Sequence, residues 1–467
     1  MATRRAVLRA GALAPLLAAC APGVFRDRPD VVRIAVPWSG TELVAFRAVL
    51  EGIRDPRPDA PAYPYEVDVV PLGDDVDTAL HAGGRDAPDV VMLPEAGQVR
   101  ELAGTRLRAV GESLWVAPDS KSRYHHLWWD LLRHTVPGTD ATGQYGVPFK
   151  ASNKSLVWYD REAFGDNDSP RAWMLSDWPD KIGSFARGER RLFALGAADG
   201  WVLTDVFANV LRTVTPRDYE DLVKPPGEPG RAQLREWDRP GVRATFGMLG
   251  LVWGHPDAFA GRVAETLRRQ FADSVRDVFL HRRAAMVVAP DFAEPVVRHS
   301  LRRTGRSDAC VGVMGFPAFG REYLAPRIGG GDVMVVTTNA KQRAEDLVAA
   351  LAAPSAPLPW MTGYGGFVAP NGSVRARGAR GSDEPELAPG TEDPASYDGI
   401  FKDVADQMNA WDVFGFADWL GPLGRRNGLW RVLTNFLVDV GYRAPGRIEQ
   451  ATDTAIAGLG AFERSLR

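Results

Sequence analysis

A chain of 467 residues is too long for one ordinary compact domain and suits two or three. Its composition, 45% hydrophobic and 25% charged, is globular, and a net charge of -3 leaves no basic field to hold nucleic acid. Two cysteines cannot build a disulfide framework or a thiolate zinc site, and the seven histidines show no His-x3-His spacing, so no metal or other cofactor is expected. Tryptophan outnumbers tyrosine, 14 to 10, and such large flat rings need either a big core or a ligand to stack on.

Residues 1–19 read as an export leader. The twin arginine Arg4-Arg5 precedes an apolar run from Ala10 to Ala19. That run is about half the length a helix needs to span a bilayer, so it is a signal h-region and not an anchor. It ends Leu17-Ala18-Ala19-Cys20, which resembles a bacterial lipobox. Small residues let the peptide lie extended in a signal peptidase, and the Cys20 thiol would take the diacylglyceryl group. The alternative is an ordinary signal with an incidental cysteine. With the arginine pair, the leader resembles that of a lipoprotein exported by the twin-arginine route. Cleavage before Cys20 removes three of the 56 basic residues and no acid, leaving a side-chain balance of -6. Cys310 then remains as the one thiol, expected as a small buried hydrophobe. No later stretch reaches 18 apolar residues, so the expectation is a soluble body tethered by lipid to the outer face of the cell membrane.

After a 20–30 linker, Val31–Val36 reads as a strand ended by Pro37-Trp38-Ser39-Gly40. Thr41-Glu42 opens a helix with apolar Leu43, Phe46, Val49, Leu50 and Ile53. A strand over Tyr65–Leu72, a short helix over Asp77–Ala82 and the strand Asp89–Leu93, apolar from Val90 onward, follow. This order predicts a parallel doubly wound sheet. After Gly146-Val147-Pro148-Phe149 the pattern restarts, with strands over Leu156–Tyr159 and Leu192–Leu195 and helices over Asp180–Arg187 and Thr204–Thr213. A long helix is expected over Arg262–His281, then strands over Ala284–Ala289, Val311–Met314 and Val333–Val336 and a helix over Gln342–Ala352. Residues 371–396 read as a long loop, and Phe401–Trp411, Leu429–Val440 and Gln450–Arg467 as helices. No internal repeat is present. The reading is two α/β lobes, 31–147 with 290–336 and 148–289 with 337–467, crossed near 146–150, 289 and 336, with a ligand cleft between them.

The segment Tyr145-Gly-Val-Pro-Phe-Lys150-Ala-Ser-Asn-Lys-Ser-Leu-Val-Trp158-Tyr159 resembles the interlobe crossing of extracellular solute-binding proteins of carbohydrate ABC transporters. The likeness is to the maltose-binding-like group, nearest its alpha-glucoside-binding members. In order along the chain, Trp38–Glu42, Asp89–Gly97, Gly200–Asp205, Ala284–Phe292, Gly329–Asp332 and Gly365–Asn371 line up with it, over about residues 31–460. Two departures stand out: Asp291 replaces a small hydroxyl residue or glycine, and Phe416–Leu420 replaces a more acidic stretch. The resemblance implies a two-lobed periplasmic-binding-protein fold of type II, each lobe a mixed, mostly parallel sheet flanked by helices, with a helical C-terminal extension. It also implies a sugar ligand, in the di- or oligosaccharide class with alpha-glucosides as candidates, and permease subunits as partners of a monomer.

A sugar site needs ring platforms for CH faces and groups that make several hydrogen bonds to hydroxyls. Trp38, Trp201, Tyr364 and Phe367 fall on predicted loops or helix starts; Ser39, Glu42, Glu95, Lys150, Asn153, Asp205, Asp291, Gly331, Asp332 and Asp418 accompany them. Each has a plainer alternative. Ser39 and Glu42 form a capping box in sequence, Trp201 can staple the following helix, and Asp205 can complement its dipole. Lys150 and Lys154, two of only seven lysines, can be solvated charges. Trp158-Tyr159 reads as core, the run from Tyr124 to Trp129 as a helix face, and Trp411, Trp419 and Trp430 as helix packing. The expected mechanism is capture by lobe closure without covalent chemistry. The rivals are an exported glycoside-active enzyme using Glu42, Glu95 or Asp205, and a binder of a non-sugar polyol or glycerophosphodiester.

Overall fold

The computed structural model describes residues 31–81, 87–117, 122–136, 138–165, 168–224, 234–371, 413–443 and 446–466. The leader with Cys20, the linker, nearly all of the 371–396 loop and the expected 401–411 helix lie outside these residues.

The chain opens β1 (Val31–Val36), α1 (Gly40–Gly52), β2 (Glu66–Pro71) and β3 (Val90–Leu93), with β1 parallel to both its neighbours. All four residues of β3 are buried, as a continuous apolar run implies. A small hairpin of β4 (Arg133–Thr135) and β5 (Thr142–Gln144) precedes the first crossing, β6 (Val147–Asn153). The second sheet holds β7 (Leu156–Asp160), β8 (Arg191–Ala194), β9 (Ala284–Val288) and β10 (Val311–Gly315) in the order β10-β7-β9-β8. The chain then returns as β11 (Ile328–Val336), antiparallel to β3 and β6 and joined by β12 (Val413–Phe414), to give a first sheet ordered β12-β11-β3-β1-β2 with β6 on β11. Both sheets are thus mixed. They are parallel where a helix connects neighbours, as in β2-β1-β3 and β8-β9, and antiparallel where crossing strands run back.

The helices used below are α2 (Trp178–Phe185), α3 (Gly200–Val214), α4 (Pro240–Trp253), α5 (Phe271–Phe279), α6 (Glu294–Thr304), α7 (Gln342–Ala352), α8 (Leu358–Gly363), α9 (Phe416–Leu420), α10 (Arg431–Val438) and α11 (Ile448–Ser465). The helix expected over 262–281 is broken into Arg262–Thr266 and α5. The cause is tertiary: backbone N–H groups of Ala197 and Ala198 donate to the carbonyls of Thr266 and Arg269, and Asp199 Oδ2 accepts from Phe271 N–H at 2.6 Å to cap α5. α3 begins at Gly200 and not at Thr204, where a Cβ on Gly200 would lie 2.6 Å from the Trp430 side chain. The expected 429–440 helix is present, beginning just after non-helical Gly428, with α10 as its α-helical part. Helices α4 and α6 go unread in sequence because Pro240 and Pro295 look like breakers, although both sit in a first turn that needs no N–H.

One core packs α1, α7 and α8 around the first sheet and extends to α5 and α6; the other packs α2, α3, α4, α10 and α11 on the second sheet. The lobe boundaries drawn from sequence therefore shift. Ala344, Leu347, Val348 and Leu351 of α7 and Trp360 of α8 bury in the first core, so the chain does not leave that lobe at 336. β10 lies in the second sheet, inside the stretch expected in the first lobe. The 413–424 segment touches both halves: Phe416 and Leu423 bury in the second core, while a Cβ on Gly97 would lie 2.3 Å from the carbonyl oxygen of Ala417.

Candidate functional site

A cavity of about 170 Å³ lies between the two sheets. Its wall takes Pro37, Trp38 and Glu42 from the β1–α1 turn, Asp74 from the turn after β2, and Pro94 and Glu95 from the end of β3. Lys150, Ser152, Lys154, Gly331 and Asp332 come from the crossing strands and the turn after β6; Trp201, Asp205, Phe292, Arg425 and Trp430 complete it. These are ends of strands and starts of helices, where open α/β sheets place ligands.

Gly331 shows why the crossing has its sequence. It stands at φ +143 opposite β6, and a Cβ there would lie 2.0 Å from the Lys150 carbonyl oxygen. Only glycine lets β11 approach β6 this closely, and a register irregularity between Asp332 and Val333 follows at once. Asp332 thereby faces Trp38, whose Nε1 donates to Asp332 Oδ2 at 3.1 Å. Trp38 is buried against Phe46, Phe149 and Trp360, with ring centroids 4.9 to 5.6 Å apart.

Two ion-paired groups form the polar lining. In the first, Lys150 Nζ donates to Glu42 Oε1 at 2.5 Å and stands 5.0 Å from the rings of both Phe292 and Trp360. Burial works against the Lys150 charge, yet Glu42, Asp332 and Asp291 hold its pKa above the usual lysine value. Burial pushes Asp332 up to about 7, against the pull of Lys150. In the second group, Lys154 Nζ lies 3.8 Å from Asp205 and 3.5 Å from Asp418, and Arg425 binds Glu95 at 3.1 Å and Asp77 at 2.6 Å. Burial raises Asp205 to about 7 and Asp418 to about 6, with Lys154 opposing both; Lys154 itself is raised, since its acidic neighbours outweigh its burial.

Ten of the fourteen residues singled out in sequence gather at this place: Trp38, Glu42, Glu95, Lys150, Trp201, Asp205, Gly331 and Asp332 line the cavity, Asp418 backs Lys154, and Asp291 lies behind the wall. Asp291 is fully buried and staples the crossing, accepting from Ser152 Oγ at 3.0 Å and Asn153 N–H at 3.1 Å; burial lifts its pKa to about 6. The other four lie elsewhere. Asn153 accepts from Ser155 N–H and shapes the β6–β7 turn, and Phe367 packs on Phe149 and Trp360 in the core. Tyr364 closes α8 at the core's edge. Ser39 is exposed at the N-cap of α1 with no side-chain capping bond, and Glu42 turns to Lys150 instead of back to the cap. Trp430, expected as helix packing, lines the cavity instead; of the lining residues not singled out, Phe292 adjoined Asp291, and Arg425 sat in a Gly-Pro-rich stretch between aromatic residues that signals an irregular, buried turn.

Two polar atoms of this wall have no hydrogen-bond partner: Asp205 Oδ2, an acceptor, and Trp430 Nε1, a donor. Their residues are more than nine-tenths buried. Each of these bare atoms carries a desolvation cost that only a polar partner can offset. Among the described residues no group of three or more His, Cys, Asp and Glu is placed to hold a metal ion, and no helix is long and apolar enough to cross a membrane.

Known proteins resemble this chain in sequence and in shape. It is 26% identical over 301 residues to the osmoprotective compounds-binding protein GgtB of Synechocystis, covering 62% of this chain and 65% of that protein. It is 26% identical over 271 residues to the alpha-glucosides-binding periplasmic protein AglE of Rhizobium meliloti, covering 54% and 55%. The matches thus span somewhat under two thirds of these relatives. The maltose-bound MalE3 of T. maritima superimposes with a TM-score of 0.64 at 16% identity, covering 94% of this chain and all of that one. The fold is the type II periplasmic-binding-protein fold. No family model matches the chain. The sequence relatives are named as binding proteins, not as enzymes.

Proposed function

We propose that this protein is the substrate-binding component of a carbohydrate importer, capturing a sugar between its lobes and handing it to a membrane permease without covalent chemistry. The observation that carries the reading is the unpartnered pair, Asp205 Oδ2 and Trp430 Nε1, in a cavity walled by Trp38, Trp201, Phe292 and Trp430. Sugar hydroxyls accept and donate together, which is the demand these two atoms make, and the CH faces of a pyranose suit indole platforms. The names of the two relatives, one for osmoprotective compounds and one for alpha-glucosides, support a polyhydroxylated neutral ligand. Excess carboxylate around the cavity disfavours a phosphodiester. Strands β6 and β11 and the β9–α6 connection supply the crossings about which the lobes would close. The lipobox-like Leu17–Cys20 supports a lipid anchor outside the cell membrane, and nothing in the reading requires more than a monomer.

Calorimetric titration of the purified protein with a panel of mono- and disaccharides tests the proposal, followed by chromatography of the mixtures. Stoichiometric heat with the sugar recovered intact is the expected result. Release of smaller sugars from α- or β-linked oligosaccharides would overturn it in favour of a glycoside-active enzyme.

A further inference from the structure

Arg425 stands on a tight turn, Gly421-Pro422-Leu423-Gly424, that is anchored in the second core through Leu423 and Leu429. Its guanidinium crosses to the opposite half of the molecule. There Nε holds Glu95 at 3.1 Å and Nη1 holds Asp77 at 2.6 Å, and Gln98 steadies the same Asp77 oxygen at 2.7 Å. The side chain is one-tenth exposed, so it forms a buried strut closing one side of the cavity. The Lys150–Glu42 pair forms another part of the wall. The partly open space that they help to line is about 170 Å³, the size of a small ligand such as one sugar ring. Cavities for larger ligands begin near about 300 Å³.

We infer that Arg425 sets the length of the ligand: with the strut in place the cleft takes a single pyranose carrying no more than a small aglycone. The inference rests on the sugar reading above. A second ring extending toward either ion-paired wall has to displace it. Lys150 and Glu42 are backed by the β6–β11 pairing and α1, and Lys150 is further held over two aromatic rings. Arg425 is one long side chain on a turn, so its side is where extra length is gained when it is removed. Its loss leaves Glu95 without its ion-pair partner in a space that a second ring and its hydroxyls can fill.

The test is calorimetry with methyl α-glucoside, maltose and maltotriose on the wild-type protein and on Arg425→Ala and Asp77→Asn. The wild type is expected to bind the single-ring probe at least tenfold more tightly than maltotriose. Arg425→Ala is expected to raise the ratio of disaccharide to single-ring affinity at least tenfold, and Asp77→Asn, which frees the far end of the strut, to move it the same way. Maltotriose bound by the wild type as tightly as the single ring, or an unchanged ratio in the variants, overturns the inference and leaves the sugar reading standing. No heat from any sugar in the wild type instead removes that reading itself. Should Arg425→Ala fail to give a native circular dichroism spectrum, the ratio in Asp77→Asn decides.

Discussion

Replacing Lys154 with methionine keeps most of the apolar stem of the side chain and removes its ammonium group. The backbone is untouched: Lys154 N–H still donates to the Ile328 carbonyl, and its own carbonyl still accepts from Asn209 Nδ2 at 2.8 Å. What changes is the company of two buried carboxyls, Asp205 and Asp418, which lose the cation 3.8 and 3.5 Å away. Removing one partner of a buried ion pair costs about 3–5 kcal/mol. At roughly 2.1 cal/mol/K of unfolding entropy per residue, a chain of this length loses about 1 °C for each kcal/mol, so a fall in Tm of about 3–5 °C is expected at pH 8. The loss depends on pH with a defined sign. Both carboxyls already have folded-state pKa values, about 7 and about 6, above those of an unfolded chain. Their folded forms therefore bind protons that the unfolded chain does not, and stability falls as pH rises through that window. Without the lysine both values climb further, so the variant is penalised most at pH 8 and least at pH 5, where the carboxyls are neutral. Thermal melts of both proteins at pH 5 and pH 8 make the comparison. An equal shift at both pH values, or no loss at pH 8, would refute the argument that the ammonium exists to hold these acids ionised.

Three further outcomes follow from the same structure. Trp201→Ala removes a cavity wall whose ring packs on Phe271 and Phe292, and is expected to weaken sugar binding by about 1–3 kcal/mol in calorimetry with the circular dichroism spectrum retained. Gly331→Ala forces a Cβ to within 2.0 Å of the Lys150 carbonyl in a backbone conformation that side chains rarely adopt, so its urea midpoint should fall by an amount equivalent to about 2 kcal/mol or more. Cys20→Ser, expressed with the native leader, should shift the protein from the membrane to the soluble fraction on ultracentrifugation; unchanged partition would refute the lipobox reading.

Several features were legible because their chemistry is local. The continuous apolar run at β3, the helical spacing of Phe46, Val49 and Leu50, and the restart after Phe149 each report a buried face directly. The glycines at 329–331 fall outside the Val333–Val336 strand expected from sequence, whereas the structure runs β11 from Ile328 and pairs all three with β6. The unread parts depend on partners distant in the chain. Nothing near residue 266 announces that the 196–199 loop will take its carbonyl and end a helix. Glu42 looked like a capping residue because its nearest sequence neighbour for the task was Ser39, whereas its partner is Lys150, 108 residues away. Arg425 carried no periodic signal at all. Its role is visible only where Glu95 and Asp77 meet it.

The wall of the cavity draws on residues from Pro37 to Trp430, and its defining bonds join positions 294 and 330 residues apart. No partial chain can therefore display it. During synthesis the site comes into being only after the turn bearing Arg425 has emerged, when β1 and β3 have long since been translated. Ligand affinity is for that reason an assay of completed folding: a chain halted before residue 425 would lack part of the wall and would not bind.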